Sequence, residues 1–125
     1  WWDSLEHGMS GVLLGILGYA IINTFNSVEG NKIKFSPVFV SLWVVCFALA
    51  LGAVWEIMEF SFDCITGQDV QRNLLREHGI ISTTWQNNGI IDTMNDMING
   101  TVGGIVGCTL SLLTRRKAQR HGKND

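Results

Sequence analysis

The chain has 125 residues, which suits one small domain, and its formal net charge is only −2. Charged residues make up 16% of it, and the only basic cluster is a short C-terminal tail of the kind that anchors to anionic lipids, which disfavours nucleic-acid binding. Residues 8–25, 35–55 and 98–114 carry no charge, and three such runs leave too little polar sequence to wrap a soluble core.

Each uncharged run is long enough to cross a bilayer as a helix. Runs of 17 to 21 residues reach roughly 25–32 Å at about 1.5 Å per residue, close to the hydrocarbon thickness. The sequence therefore predicts an all-α integral membrane bundle of three transmembrane helices, as a single domain over 1–125. The expected elements are helices near 5–25, 37–63 and 91–114, an outer loop over 64–90 and a basic tail over 115–125.

Local signals mark the starts of two helices. Pro37 fits the first turn of helix 2, and Ser36 before it is suited to cap that helix. Asp92 is expected in the first turn of helix 3, where an acid suits the positive helix end. The chain opens Trp-Trp-Asp without an initiator methionine, so we expect a removed start or a piece of a longer protein with helices upstream.

The basic residues predict how the bundle sits in a cell membrane. In a three-helix meander the connector between helices 1 and 2 shares one side with the tail, and together they hold seven of the nine basic residues. The positive-inside rule makes that side, and the C-terminus, cytoplasmic. The acids sort the other way, since only Glu29 and Asp125 fall on the cytoplasmic half. We therefore expect an acidic site on the extracytoplasmic side.

On that outer half every helix carries polar groups at helical spacing. Helix 2 has acids at i, i+3 and i+7, helix 3 has two at i, i+4, and helix 1 opens with an Asp–His pair at i, i+4. Carboxylates at membrane depth are costly unless they are protonated or neutralised, and a divalent cation such as Mg²⁺, Mn²⁺, Fe²⁺ or Zn²⁺ would neutralise them. The candidate metal ligands are Asp3, His7, Glu56, Glu59, Asp63, Asp92 and Asp96.

Simpler roles are open for several of these groups. Glu56 and Glu59 can be interfacial residues that face water. Asp92 can be only a helix cap, and His7 can be a structural hydrogen-bonding group. None of these roles explains why three helices carry such groups at one membrane face.

The outer loop is too long for a simple turn, and loops of this length often bind ligands. Arg72 and Arg76, spaced i, i+4, are candidates to clamp a substrate phosphate, although solvated loop arginines are the more common outcome. Glycine pairs at 11/15, 100/104 and 103/107 are each GxxxG, which predicts close contact between helices and says nothing about chemistry.

The segments WWDSLEHGMSG, GAVWEIMEFSFD and IIDTMNDMINGTVGGIVG resemble a family of small bacterial multi-pass membrane proteins of unknown function, similar in style to the VanZ-like proteins. In that family an Asp and a His open one helix, a WE..E stretch ends the next, and DT..D begins a glycine-rich last helix. The resemblance implies a shared polar site and supplies no reaction. The positions that match are Asp3, His7, Glu56, Glu59, Asp63, Asp92, Thr93 and Asp96.

Three functions compete, and whether the chain is an enzyme stays open. The first is a metal-dependent membrane enzyme that acts on a lipid-linked phosphate or similar headgroup. The second is a non-catalytic subunit whose acidic face docks a protein partner or upstream helices. The third is cation or proton transport. The inner halves of the helices are almost bare of polar groups, which argues against an ion path through them.

Overall fold

The structure is a computed structural model, which describes residues 2–28, 34–71, 75–77, 80–82 and 88–121, with backbone alone at 75–77, 80–82, Asn88 and His121. All three helices are long and apolar enough to cross a membrane, which confirms the predicted all-α membrane bundle. The elements in chain order are α1 (Trp2–Ser27), α2 (Pro37–Thr66), β1 (Leu75–Glu77), β2 (Ile80–Ser82) and α3 (Asn88–His121).

Helix α2 begins as the sequence predicts. The Ser36 hydroxyl accepts a hydrogen bond from the Phe39 backbone N–H at 3.2 Å, and Pro37 occupies the first turn. The helix ends at Gly67, whose left-handed φ of 68° suits glycine and lets its N–H donate to the Asp63 carbonyl at 2.9 Å. This end lies beyond the expected residue 63.

Helix α3 is longer than its apolar run at both ends. It begins at Asn88, so Asp92 lies in the second turn and the expectation of an acid in the first turn is wrong. At the other end it continues through the residues expected as a tail, because Arg, Lys, Ala and Gln are good helix formers. An uncharged run therefore marks the part of a helix within the membrane and not where the helix ends.

The expected outer loop contains a short antiparallel strand pair. Strands β1 and β2 pair with Leu75 opposite Ser82 and Glu77 opposite Ile80. The sequence predicts an outer loop over 64–90 and does not indicate these strands. A pair of only three residues each adds little stability by itself.

Helices α1 and α3 touch backbone to backbone. A Cβ added to Gly11 or Gly103 would overlap a backbone carbonyl oxygen of the other helix, and the same is true of Gly15 and Gly107. The GxxxG pairs thus lie at the contact, as predicted. Since no side chain separates the two backbones, α1 and α3 form a closely joined pair on which α2 packs.

The buried apolar core lies at the connector end of the bundle, formed by the last turns of α1, the first turns of α2 and the second half of α3. This core consists of Tyr19, Ile22, Val40, Val44 and Cys108. Hydrogen bonds tie the same end together. The Asn26 side chain pairs with the Phe35 backbone, with the Phe35 N–H donating at 2.8 Å, and the Arg115 guanidinium donates to the Tyr19 hydroxyl and the Asn23 amide oxygen.

Candidate functional site

At the opposite end, which we call the acidic end, the three helices enclose a cavity of about 770 Å³. This end consists of the first turns of α1, the last turns of α2 and the first turns of α3. The cavity lies between residues 2–14 of α1 and 48–59 of α2, with residues 96–101 of α3 as its floor. Five of the seven candidate ligands line it: Asp3, His7, Glu56, Glu59 and Asp96.

The His7 imidazole lies between two carboxylates. Its Nε2 is 3.9 Å from Asp3 Oδ1, one turn earlier on α1, and 3.8 Å from Asp96 Oδ2 on α3. Asp96 is only 3% exposed. The close contact of the glycine backbones brings these two helices near enough for the three side chains to meet. One ligand atom from each lies within 4.8 Å of the others.

These distances are close to those around a bound metal ion. Three ligand atoms spaced evenly around an ion with bonds of about 2.0–2.2 Å lie roughly 3.5–3.8 Å apart. The two distances from His7 Nε2, at 3.8 and 3.9 Å, lie at the upper end of that range or just above it. One ligand atom from each of the three residues lies within 4.8 Å of the other two. Two carboxylates and an imidazole could therefore hold a divalent ion after small side-chain rotations.

Glu56 adds a fourth acid from α2. It is 6% exposed, and its Oε1 is buried without a hydrogen-bond partner among the described residues. It lies within electrostatic range of Asp96 and of Glu59, which are themselves acidic. A buried carboxylate oxygen that accepts no hydrogen bond is costly. Something positive or a proton donor is needed beside it.

Glu59 sits one turn further along α2, nearer the membrane surface. One of its carboxylate oxygens, Oε1, accepts a hydrogen bond from the Trp55 indole N–H at 2.9 Å. Trp55 is half exposed, as expected for a tryptophan at the membrane interface. The indole fixes one oxygen of Glu59 and leaves the other for a ligand or a water molecule.

Two of the candidate ligands lie away from the cavity wall. Asp63 accepts hydrogen bonds from the Val70 N–H at 2.9 Å and the Gln71 N–H at 3.0 Å, so it holds the chain as it turns after α2. Asp92 does not line the cavity, although it lies within electrostatic range of Asp96. The structure thus brings five of the seven groups to one cavity and gives Asp63 a structural role.

Gln71 lies in the site region but was not among the candidate site residues; the sequence marks it only as a donor of the outer loop. It is 9% exposed, and its side-chain Nε2 lies 3.4 Å from both the Glu56 backbone carbonyl and the Thr93 hydroxyl, to which it donates. It therefore links α2 at Glu56 to α3 one turn before Asp96. The sequence marks this role of Gln71 only by its position. It follows shortly after Gly67, a glycine that ends a helix, and after Asp63, an acid that can accept hydrogen bonds from the backbone there.

The proposed phosphate clamp cannot be placed. Arg72 lies outside the described residues, and Arg76 is described by its backbone alone, within β1.

The chain matches the family described as "Predicted membrane protein (DUF2238)" over residues 1–117. The match confirms the expected relation to a small membrane protein family, whereas the likeness to the VanZ-like proteins is not confirmed. No curated protein and no solved structure shows significant similarity to the chain. With nearly its whole length matched, and with three helices able to cross a membrane, the chain belongs to the DUF2238 family of membrane proteins.

Proposed function

We propose that the protein is a membrane enzyme that acts on a phosphate-bearing lipid headgroup. It would do so with a divalent metal ion held at Asp3, His7 and Asp96. The observation that carries the proposal is Glu56. Glu56 lines the cavity that the three ligands share, and its buried Oε1 lacks a hydrogen-bond partner among the described residues. An ion between these groups would neutralise the acids together and give Glu56 a positive neighbour.

The arrangement suits hydrolysis of a phosphate ester. The metal would polarise the phosphoryl group and orient a water molecule for attack on phosphorus. Glu59, nearer the surface, would accept a proton from that water and return it to the leaving oxygen as the bond from phosphorus to that oxygen breaks. Mixed oxygen and imidazole ligands suit Mn²⁺, Fe²⁺ or Zn²⁺, and Mg²⁺ would rely mainly on the carboxylates.

The cytoplasmic side is assigned to the connector end. Lys34 and Arg115 lie there, as does the basic end of α3. The positive-inside rule then puts the acidic end at the outer face, where a headgroup of the outer leaflet would reach it.

Metal binding by the purified protein tests the proposal. In bilayer nanodiscs, Mn²⁺ titration followed by electron paramagnetic resonance should show one tightly bound ion per chain, which Asp96→Asn weakens by roughly a hundredfold, as loss of a close charged ligand does. Glu6→Gln is the matched control. Glu6 is an exposed residue that also lines the cavity, so it removes the same charge from the same end outside the three ligands. Equal weakening in both variants, or no binding by the unaltered protein, would contradict the proposal.

A docking role is the second candidate, and the cavity favours it too. A helix from a partner or from upstream could place a lysine or arginine beside Glu56 instead of a metal ion. Transport is less well supported, because the connector end is filled by the apolar core around Val44.

A further inference from the structure

The cavity extends well beyond the acidic groups. On α1 it runs from Asp3 to Leu14, and on α2 from Glu59 back to Ala48. Each stretch covers eleven residue steps, about 16 Å along a helix axis. Five acids and His7 line one end, and leucines, alanine and glycine line the other. A metal ion or a small phosphate would fill only the polar end.

Gly52 keeps the apolar part of this cavity wide. A Cβ built on it would meet nothing within 4 Å, whereas Gly11 and Gly103 between α1 and α3 have no room for one. Glycine within a helix weakens it relative to alanine, so a glycine with no packing role among the described residues needs another explanation. Its position on the cavity wall leaves space for a ligand.

The apolar part also opens toward the lipid. Leu13 and Leu49 line the cavity from α1 and α2, and both side chains are exposed on the membrane-spanning surface. A hydrocarbon chain could therefore pass from the bilayer into the gap between the two helices without crossing water. The cavity thus divides along its length in the same way as a lipid, with a polar head and an apolar chain.

We propose that the cavity binds a single hydrocarbon chain of a phosphate-headed lipid between α1 and α2, with the headgroup at Asp3, His7 and Asp96. This inference rests on the proposed function and names its substrate class. Selectivity then comes from both ends, because the metal ion held by the acids and His7 binds the phosphate while the apolar wall requires a long chain. A water-soluble phosphate ester with the same head lacks the second contribution and binds more weakly.

Crosslinking with dodecyl phosphate that carries a diazirine near the chain end tests this binding mode. With the Mn²⁺-loaded protein in phosphatidylcholine nanodiscs, peptide mass spectrometry should find the label on the deep cavity wall near Leu14 and Ala48. Unlabelled dodecyl phosphate should compete for the label, and ethyl phosphate should not at the same concentration. Gly52→Phe should weaken crosslinking about tenfold or more, because the ring removes the apolar contact of several CH₂ groups.

Ala50→Phe is the matched control, since Ala50 is exposed on the same helix and does not line the cavity. It should leave crosslinking unchanged. Leu14→Phe narrows the cavity from the opposite wall and replaces Gly52→Phe if that variant does not fold. Label spread evenly over the lipid-facing surface, or equal crosslinking in both phenylalanine variants of α2, would overturn the inference, as would a protein helix found crosslinked in the cavity.

Mn²⁺ binding by the same samples separates this inference from the proposed function. Gly52 lies away from the three ligands, so the Gly52→Phe variant should still bind Mn²⁺. Loss of chain binding with Mn²⁺ retained supports the inference. Intact Mn²⁺ binding without chain-specific crosslinking leaves the metal site standing and overturns the lipid chain. Failure of the unaltered protein to bind Mn²⁺ contradicts the proposed function, whatever the crosslinking shows.

Discussion

Glu56 is the residue whose surroundings say most about the site. Its carboxylate is buried beside other acids, and one of its oxygens accepts no hydrogen bond from the described residues. A buried ionised carboxylate without a close partner destabilises the folded state. Glu56 therefore destabilises the folded state unless an ion or a proton neutralises its charge.

Glu56→Gln should consequently have opposite effects with and without metal. In metal-free protein it should raise the free energy of unfolding by about 1–2 kcal/mol, because a buried charge near Asp96 is removed. With saturating Mn²⁺ it should reduce the stabilisation that the ion provides. Thermal unfolding in nanodiscs measures both. The exposed Glu6→Gln should change neither by much, and a Glu56→Gln variant that is less stable without metal would show that Glu56 already has a partner.

Asp63 and Gln71 illustrate how far single residues could be assigned from the sequence. The i, i+3, i+7 spacing places Asp63 on the same helical face as Glu56 and Glu59, and this spacing predicts it as a metal ligand. The turn after Gly67 instead carries the Val70 and Gln71 N–H groups back to its carboxylate. Helical spacing indicates which face a side chain occupies, but not whether the chain that follows the helix folds back to bind it.

At the scale of the elements, the α1–α3 glycine contact positions the site. It brings Asp96 on one helix to His7 on the other at 3.8 Å. The contact leaves no room for a side chain at these positions, because a methyl group on Gly11 or Gly103 would overlap the opposite backbone. The distances between the ligands are thus set by glycines, which have no reactive side chain.

Gly103→Ala and Gly11→Ala should each lower the free energy of unfolding by about 1–3 kcal/mol, since the added methyl forces the two backbones apart. Gly100→Ala and Gly8→Ala are matched controls on the same two helices. A Cβ on Gly100 would approach only the His7 carbonyl oxygen, at 3.7 Å, and one on Gly8 would meet nothing within 4 Å. Thermal unfolding in nanodiscs should separate the pairs, and similar losses in all four would contradict this contact.

Much of this architecture was predictable from the sequence, and the reasons differ by element. The uncharged runs gave the three helices, and Ser36 with Pro37 gave the start of α2, because burial in lipid and capping are local properties. The extent of α3 past residue 114 was missed because charged residues that leave the membrane can remain helical. The cavity could not be foreseen, since it depends on how α2 packs on the α1–α3 pair.

At the scale of the whole molecule, orientation decides which leaflet the acidic end faces. The positive-inside rule predicts that a reporter fused after Asp125 is cytoplasmic and that one inserted near Asn88 is extracytoplasmic. Accessibility of single introduced cysteines to a membrane-impermeant reagent, in a background with the three native cysteines replaced by serine, measures the same property. A reagent-accessible residue 125 in intact cells would reverse the orientation and exclude an outer-leaflet substrate.

The length of α2 has a consequence for where this site can work. Nineteen residues separate Pro37 from Glu56, about 29 Å along the axis and close to the roughly 30 Å thickness of the hydrocarbon layer. With Pro37 at one boundary, the carboxylates therefore reach the other boundary only where the membrane has about that thickness. A thicker membrane would draw them into hydrocarbon, and a thinner one would lift them into water or tilt the bundle. Hydrophobic mismatch would thus decide whether the acids lie in hydrocarbon or in water, so the site depends on the local thickness of the membrane.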